Sequence, residues 1–321
     1  MNRPLIGVLL ALATASTALA QSFPSKPLRI VVPFAAGGAV DTIARAFAPK
    51  LTEGFGQPVL VENKPGAGSN IGADAVAKSP PDGTTVLLTP AGLAIGPSLY
   101  SKLPFDPAKD LAPVSQLMSS WLILVTAQKV PATSVRELLA LAKSKPGRLN
   151  YGSTGIGSPP HLAGELLRML GGVDIVHVPY KGDAPMYTAL LANEVDLAFG
   201  PLAGALPHIR AGRLHLLAIT DAKRSRLLPE APTLVESGLP DFRYSGWIGV
   251  FAPAGTPRPV IERLHAEWTR ALATADIRER MPDWGYEPVG SKPEEFEAKF
   301  KSDLALYARI VREAKVPLQD Y

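Results

Sequence analysis

Two glycine-rich turns carry most of the chemistry open to this sequence. The first is Pro33-Phe34-Ala35-Ala36-Gly37-Gly38-Ala39-Val40-Asp41 and the second is Gly152-Ser153-Thr154-Gly155-Ile156-Gly157-Ser158-Pro159-Pro160. Each sits between a short apolar run and a helical pattern. A strand that feeds a helix through such a turn leaves backbone N–H groups without intrahelical acceptors, and the helix dipole adds roughly half a positive charge at the same place. Together these hold an anion. Neither turn contains Arg or Lys, so a carboxylate or phosphate held there is met by dipoles and N–H groups. Ala36, Gly37, Gly38, Gly155 and Gly157 let a ligand approach the backbone closely, and the hydroxyls of Ser153, Thr154 and Ser158 can donate hydrogen bonds. Ser158 before Pro159 also has the form of a plain helix N-cap.

Other side chains near these turns have two readings each. Asp41 in a first helical turn stabilises the dipole and can pair with Arg45 at i+4; alternatively it fixes the turn or receives a ligand amine. Lys181, in Val178-Pro179-Tyr180-Lys181-Gly182-Asp183, lies past the end of an expected strand, where it either neutralises a second anionic group or is simply solvated. Phe34, Tyr180, Phe199 and Trp247 can wall a ligand body or fill a core. Gly66-Ala67-Gly68-Ser69-Asn70-Ile71-Gly72 has the wrong spacing for a dinucleotide fingerprint and reads as a tight loop into a helix. There is no G-x-S-x-G elbow, Walker lysine or H-E-x-x-H pair, and a Ser153, His177, Asp183 triad has no motif behind it. We expect no cofactor and no metal.

The elements that must position the turns follow from periodicity. Leu28–Val32, Val59–Val61 and Thr84–Leu88 read as buried strands, with helices from Val40 to Leu51 and from Ser69 to Lys78. The same order recurs with strands Leu149–Tyr151, Ile175–Val178 and Val195–Phe199, a helix carrying Leu162, Leu166 and Leu170, and a helix from Asp183. Alternating strands and helices predict parallel sheets, hence an α/β fold of two doubly wound lobes with a central ligand cleft. Ligands of such sheets bind beyond the C-terminal strand ends. Lobe one is expected over 21–125 and 226–321 and lobe two over 126–225, with crossings near Val125–Val130 and within Thr220–Trp247. Later helices are expected after Thr256-Pro257 and after a capping box at Ser291-Lys292-Pro293-Glu294. The stripe Phe296, Phe300, Leu304, Tyr307 and Val311 on the last of these should dock on the protein itself.

Composition narrows the class. The 321 residues include 28 Gly and 32 Pro without collagen-like period, and no Cys, which removes disulfides, thiolate nucleophiles and Cys-ligated metals. A net charge of +4 without a basic run leaves no nucleic-acid footprint. Residues 1–20 carry one charge, Arg3, an apolar stretch Leu5–Ala13 and Ala18-Leu19-Ala20, the pattern of a secretory signal cleaved after Ala20. A soluble periplasmic product is expected.

The two turns, together with Val61-Glu62-Asn63-Lys64-Pro65-Gly66-Ala67-Gly68, Pro81-Asp82-Gly83, Val178-Pro179-Tyr180-Lys181-Gly182 and Phe251-Ala252-Pro253-Ala254-Gly255-Thr256-Pro257, resemble the extracytoplasmic solute receptors of the tripartite tricarboxylate transporter system, the Bug family. The resemblance runs in order over essentially the whole chain after residue 20. It implies a periplasmic binding protein, type II-like, that closes on a small carboxylated solute and delivers it, as a monomer, to membrane permease subunits. In that family the loops corresponding to Phe34–Asp41 and Ser153–Ser158 grip one carboxylate from both lobes. Asn70, Thr89, Tyr180, Lys181, Asp183 and Phe199 are placed at distal contacts by their position. A ligand sensor for a signalling partner, or a hydrolase using Ser153 or Ser158, are the other readings.

Overall fold

The computed structural model describes residues 23–320 except 181, 243 and 245; the expected signal segment lies outside them. Leu28–Val32 forms strand β1, Ala39–Phe55 helix α1, Val59–Asn63 β2, Asn70–Ala77 α2 and Thr85–Pro90 β3. These three strands are parallel, with Leu28 opposite Val59 and Arg29 opposite Thr85. The α1 face read from the sequence is the buried one: Val40, Ile43, Ala44, Phe47 and Leu51 pack inward, and Phe47 lies on Trp268 with ring centroids 5.3 Å apart. Helices α3 (Gly92–Leu99) and α4 (Pro107–Asp110) then lead into β4 (Leu111–Ser120).

The second sheet begins at β5 (Ile123–Ala127) and continues through α5 (Val135–Ser144), β6 (Asn150–Ser153), α6 (Pro159–Gly171), β7 (Val176–Pro179), α7 (Asp183–Leu191), β8 (Leu197–Gly200), α8 (Leu202–Arg210) and β9 (Leu214–Ile219). The chain returns to the first sheet in β10 (Gly246–Pro253), followed by α9 (Arg258–Leu272), α10 (Ala275–Trp284), β11 (Glu287–Pro288) and α11 (Pro293–Glu313). Sheet order is β11-β4-β10-β3-β1-β2 in one lobe and β7-β6-β8-β5-β9 in the other.

The expected pair of α/β lobes is present, but the sheets are mixed rather than parallel. β5 runs antiparallel to β8 and β9, and β10 runs antiparallel to β3 and β4. Both strands receive the chain just after it crosses between lobes. They enter their sheets at the cleft edge, where the other strands end, and so must run the opposite way. The first crossing falls between Ser120 and Ile123, earlier than the expected Val125–Val130, because Ile123, Leu124 and Val125 are fully buried in the second sheet. The two crossings lie side by side: Leu122 N–H donates to Thr220 Oγ1 at 3.0 Å and Thr220 N–H to the Leu122 carbonyl at 2.9 Å.

Two caps differ from expectation by one residue. The N-cap of α11 is Lys292, whose N–H donates to Glu295 Oε2 at 2.9 Å. Ser291 is instead tied to β4, its hydroxyl accepting from Gln116 N–H at 3.0 Å. Thr256 donates to the Pro253 carbonyl at 2.7 Å, and Pro257 caps α9. The α11 stripe docks as expected, with Phe296 edge-on to Trp247 at 5.1 Å, and α11 touches α3, β4 and, in the other lobe, α6. Phe47→Ala should lower the unfolding free energy by about 3–5 kcal/mol, read as a fall in urea midpoint at unchanged slope.

Candidate ligand-binding cleft

A cleft of about 500 Å³ opens between the lobes, inside the size range of small-molecule sites. Its lining includes Phe34 beyond β1, Pro90 ending β3, Gly155 beyond β6 and Pro201 beyond β8, so it lies at the C-terminal strand edge of both sheets. Another hollow, of about 390 Å³ and lined in part by Arg258, Glu262 and Glu294, lies away from both turns, and these three charges pair with one another.

The first turn is built around Asp41. Gly37 takes a positive φ of 81°, which favours glycine. Its N–H donates to Asp41 Oδ2 at 2.8 Å, while Arg45 Nε donates to the same oxygen at 2.9 Å and Asn63 Nδ2 to Oδ1 at 2.9 Å. Asn63 also reaches the Phe34 carbonyl at 3.0 Å. The Arg45 guanidinium holds the Asp41 carboxyl down at about 2, helped by the Gly37 and Asn63 donors and opposed by desolvation. Asp41 is therefore spent on fixing the turn. Ala36, Gly37 and Gly38 stand exposed, and the first-turn N–H groups of Ala39, Val40 and Asp41 have no intrahelical acceptor.

The second turn rests on a buried polar layer. Gly157, with φ of 73°, donates its N–H to His161 Nδ1 at 2.9 Å. That bond assigns the His161 proton to Nε2, which faces Glu165 Oε1 at 3.9 Å. Glu165 also accepts from Tyr151 Oη at 2.5 Å and from Arg168 Nη1 at 2.7 Å. His161 stacks on His177 with centroids 3.9 Å apart, and His177 stacks on Tyr151. Burial pushes His161 down to about 3 and His177 down to about 4, with neighbouring charge adding to the effect, so both rings are neutral.

His177 Nε2 meets Ser153 Oγ at 2.7 Å, but Ser153 is fully buried. Ser158 behaves as the plain N-cap: its hydroxyl donates to the Gly155 carbonyl at 2.7 Å and accepts from His161 N–H at 3.4 Å. Pro159 and Pro160 carry no N–H. The end of α6 thus offers few donors, contrary to the simple helix-terminus argument. Among the described residues, the backbone N–H groups of Thr154 and Ile156 have no hydrogen-bond acceptor, and both residues line the cleft.

Of the sixteen residues singled out in the sequence, Phe34, Thr154, Gly155, Gly157, Ser158 and Asp183 line the cleft. Asn70 lies behind its wall, fully buried, donating from Nδ2 to the Ala67 carbonyl at 2.7 Å. Thr89 is buried one residue before the cleft-lining Pro90. Tyr180 sits under the second turn, its carbonyl close to Gly155 and its N–H on the Ser153 carbonyl at 2.9 Å. Phe199 belongs to the core, stacked on Phe242. Lys181 lies outside the described residues. The sequence reading missed Trp121, Tyr244, Trp284 and Tyr286 on the cleft wall. Their only signal is aromatic residues gathered at the crossings and before β11.

The family model described as tripartite tricarboxylate transporter family receptor matches residues 43–315. Protein BugT of Bordetella pertussis is 37% identical over 317 residues, covering 98% of this chain and 97% of BugT. Among solved structures, Rpa4515 of R. palustris with adipate is 33% identical, with a TM-score of 0.75 over 92% of this chain and 100% of that one. MatC of Rhodopseudomonas palustris with bound malate is 32% identical, with a TM-score of 0.71 over 90% and 100%.

The two anchors should show in acid titrations. Asp41 is depressed in the fold, so its stabilising contribution is present above its ordinary value near 3.8 and is lost as pH falls through about 2. The stability gap between the wild type and Asp41→Asn should narrow over that window in thermal melts. His161 and His177 are also depressed, but for a base the sign differs: the unfolded chain takes up protons below about 6.5 that the fold refuses. Stability should drop between pH 6.5 and 4, and His161→Phe should reduce the slope of unfolding free energy against pH by about one proton.

Proposed function

The chain belongs to the tripartite tricarboxylate transporter receptor family, and from that premise we propose that it captures a small carboxylated solute in the cleft and hands it to membrane permease subunits. The observation that carries this reading is that Thr154 and Ile156 line the cleft with N–H groups that have no acceptor among the described residues, in a turn hydrogen-bonded from below and close to the other lobe. Adipate in Rpa4515 and malate in MatC support a carboxylate as the anion.

Binding works by closure. A solute that bridges the first turn and the second binds the closed arrangement better than the open one and shifts the population by that difference. The paired crossings at Ser120–Ile123 and Ile219–Gly246 are the hinge, since they are where the chain passes between sheets. In this reading the protein makes and breaks no bond, which the burial of Ser153 beside His177 supports. We take the exported form to be a periplasmic monomer that begins after Ala20.

Residues 21–321 should melt at higher temperature with carboxylates than with neutral sugars, and saturation at one hundred times Kd should add about 2.7 kcal/mol. If sugars or amines shift the melt and no carboxylate does, the proposal fails. Gly37→Val and Gly157→Val should each abolish binding with the fold retained. Both glycines take positive φ, and a Cβ on Gly157 would come within 2.2 Å of Leu99 in the opposite lobe. Unchanged affinity by calorimetry would remove the turns from the site.

A further inference from the structure

Beyond the turns, the cleft is lined mainly by apolar residues. Trp284 and Tyr286, both half-buried, line its walls alongside the buried residues Trp121, Trp247, Tyr244 and Leu99. Trp247 uses its indole N–H inside the protein, donating to Asp303 Oδ2 at 2.8 Å. The Trp121 Nε1 atom is buried. Among the described lining residues, none is Arg or Lys, and Asp183 alone carries a charge.

Asp183 is the first residue of α7, where the helix dipole tolerates an acid. No hydrogen bond or ion pair engages its carboxylate among the described residues. Although the residue is exposed at the cleft, partial desolvation by its surroundings raises its carboxyl above the ordinary value. A solute with one carboxylate can place that group on the turns and its body on the rings. A second carboxylate would have to give up water in a largely apolar space where, among the described lining residues, the one charge has the same sign.

Building on the carboxylate reading above, we propose that this cleft selects a monocarboxylate with an aromatic body, and that Asp183 is the specificity-determining residue that turns di- and tricarboxylates away. Flat ligands gain from offset or edge-on contact with the tryptophan and tyrosine rings, at centroid separations of about 4.5–7 Å. The cleft volume of about 500 Å³ has room for a single substituted ring.

The test is calorimetry on the purified protein expressed from the full chain, and on Asp183→Asn. The probes are benzoate, phenylacetate and 4-hydroxybenzoate against adipate, malate and citrate, with benzamide as the uncharged partner of benzoate. Asp183 is exposed at a helix start, so the variant should fold, which a melting curve checks. At least one aromatic monocarboxylate should bind tenfold or more tighter than adipate, malate and citrate, and benzoate should exceed benzamide at least tenfold. Asp183→Asn should raise the affinity for adipate and malate at least fivefold relative to benzoate. Adipate, malate or citrate binding tighter than every monocarboxylate would overturn this inference and leave the carboxylate reading standing, as would an unchanged ratio in the variant. Binding of benzamide as tight as benzoate, with no carboxylate of any kind preferred, would overturn both.

Discussion

The proposed grip on an anion needs backbone N–H groups that are left without acceptors yet held still, and one hydrogen bond in each lobe would meet that need. Gly37 N–H donates to Asp41 and Gly157 N–H to His161, in both cases from a left-handed glycine to the side chain four residues on, in the first turn of the following helix. The anchor differs chemically, a carboxylate in one lobe and a neutral imidazole in the other, but its place is the same. Each anchor is in turn fixed by further partners: Arg45 and Asn63 for Asp41, and the stacked His177 for His161. Each turn of small residues rests on a hydrogen-bonded polar layer that holds its shape.

The rest of the architecture places these two anchored turns at corresponding strand edges of the two lobes, with Phe34 of the first and Thr154 to Ser158 of the second lining the cleft. Both lie at C-terminal strand edges, and the crossing strands β5 and β10 run against their neighbours because they start from that same edge. The first crossing, from Ser120 to Ile123, is short, and the lobes lie close enough for a Cβ on Gly157 to meet Leu99. α11, reaching α3, β4 and α6, ties the C-terminal end of the chain to both lobes. The same placement leaves aromatic residues of the crossings on the cleft wall, so the connection between lobes also shapes the space for the solute.

Much of this was legible in the residues, for identifiable reasons. Buried parallel strands leave continuous apolar runs such as Leu28–Val32, and amphipathic helices leave 3.6-residue stripes such as Val40 to Leu51. β4, β5 and β10 carry no such signature of direction, because whether a strand runs with or against its neighbours depends on where the chain enters the sheet. In the site, the two turns stood out through their small residues, and Asp41 through its spacing to Arg45. His161 did not, since a lone histidine four residues after a glycine has no pattern until the turn brings Gly157 onto its ring. The donors also moved: with Pro159, Pro160 and the Ser158 cap at the helix end, the N–H groups without an acceptor among the described residues are those of Thr154 and Ile156, inside the turn. Phe199 shows the opposite error, a residue at a strand end whose side chain faces the core.

The most direct test of the central claim is an amide nitrogen–proton NMR titration of the protein with a carboxylate that raises its melting temperature. If the turns grip the anion through backbone N–H groups, Thr154, Ile156 and the first-turn amides Ala39 and Val40 should show the largest downfield proton shifts, saturating together at one affinity. Shifts that leave these amides in place and gather instead around Arg258, Glu262 and Glu294 would contradict it.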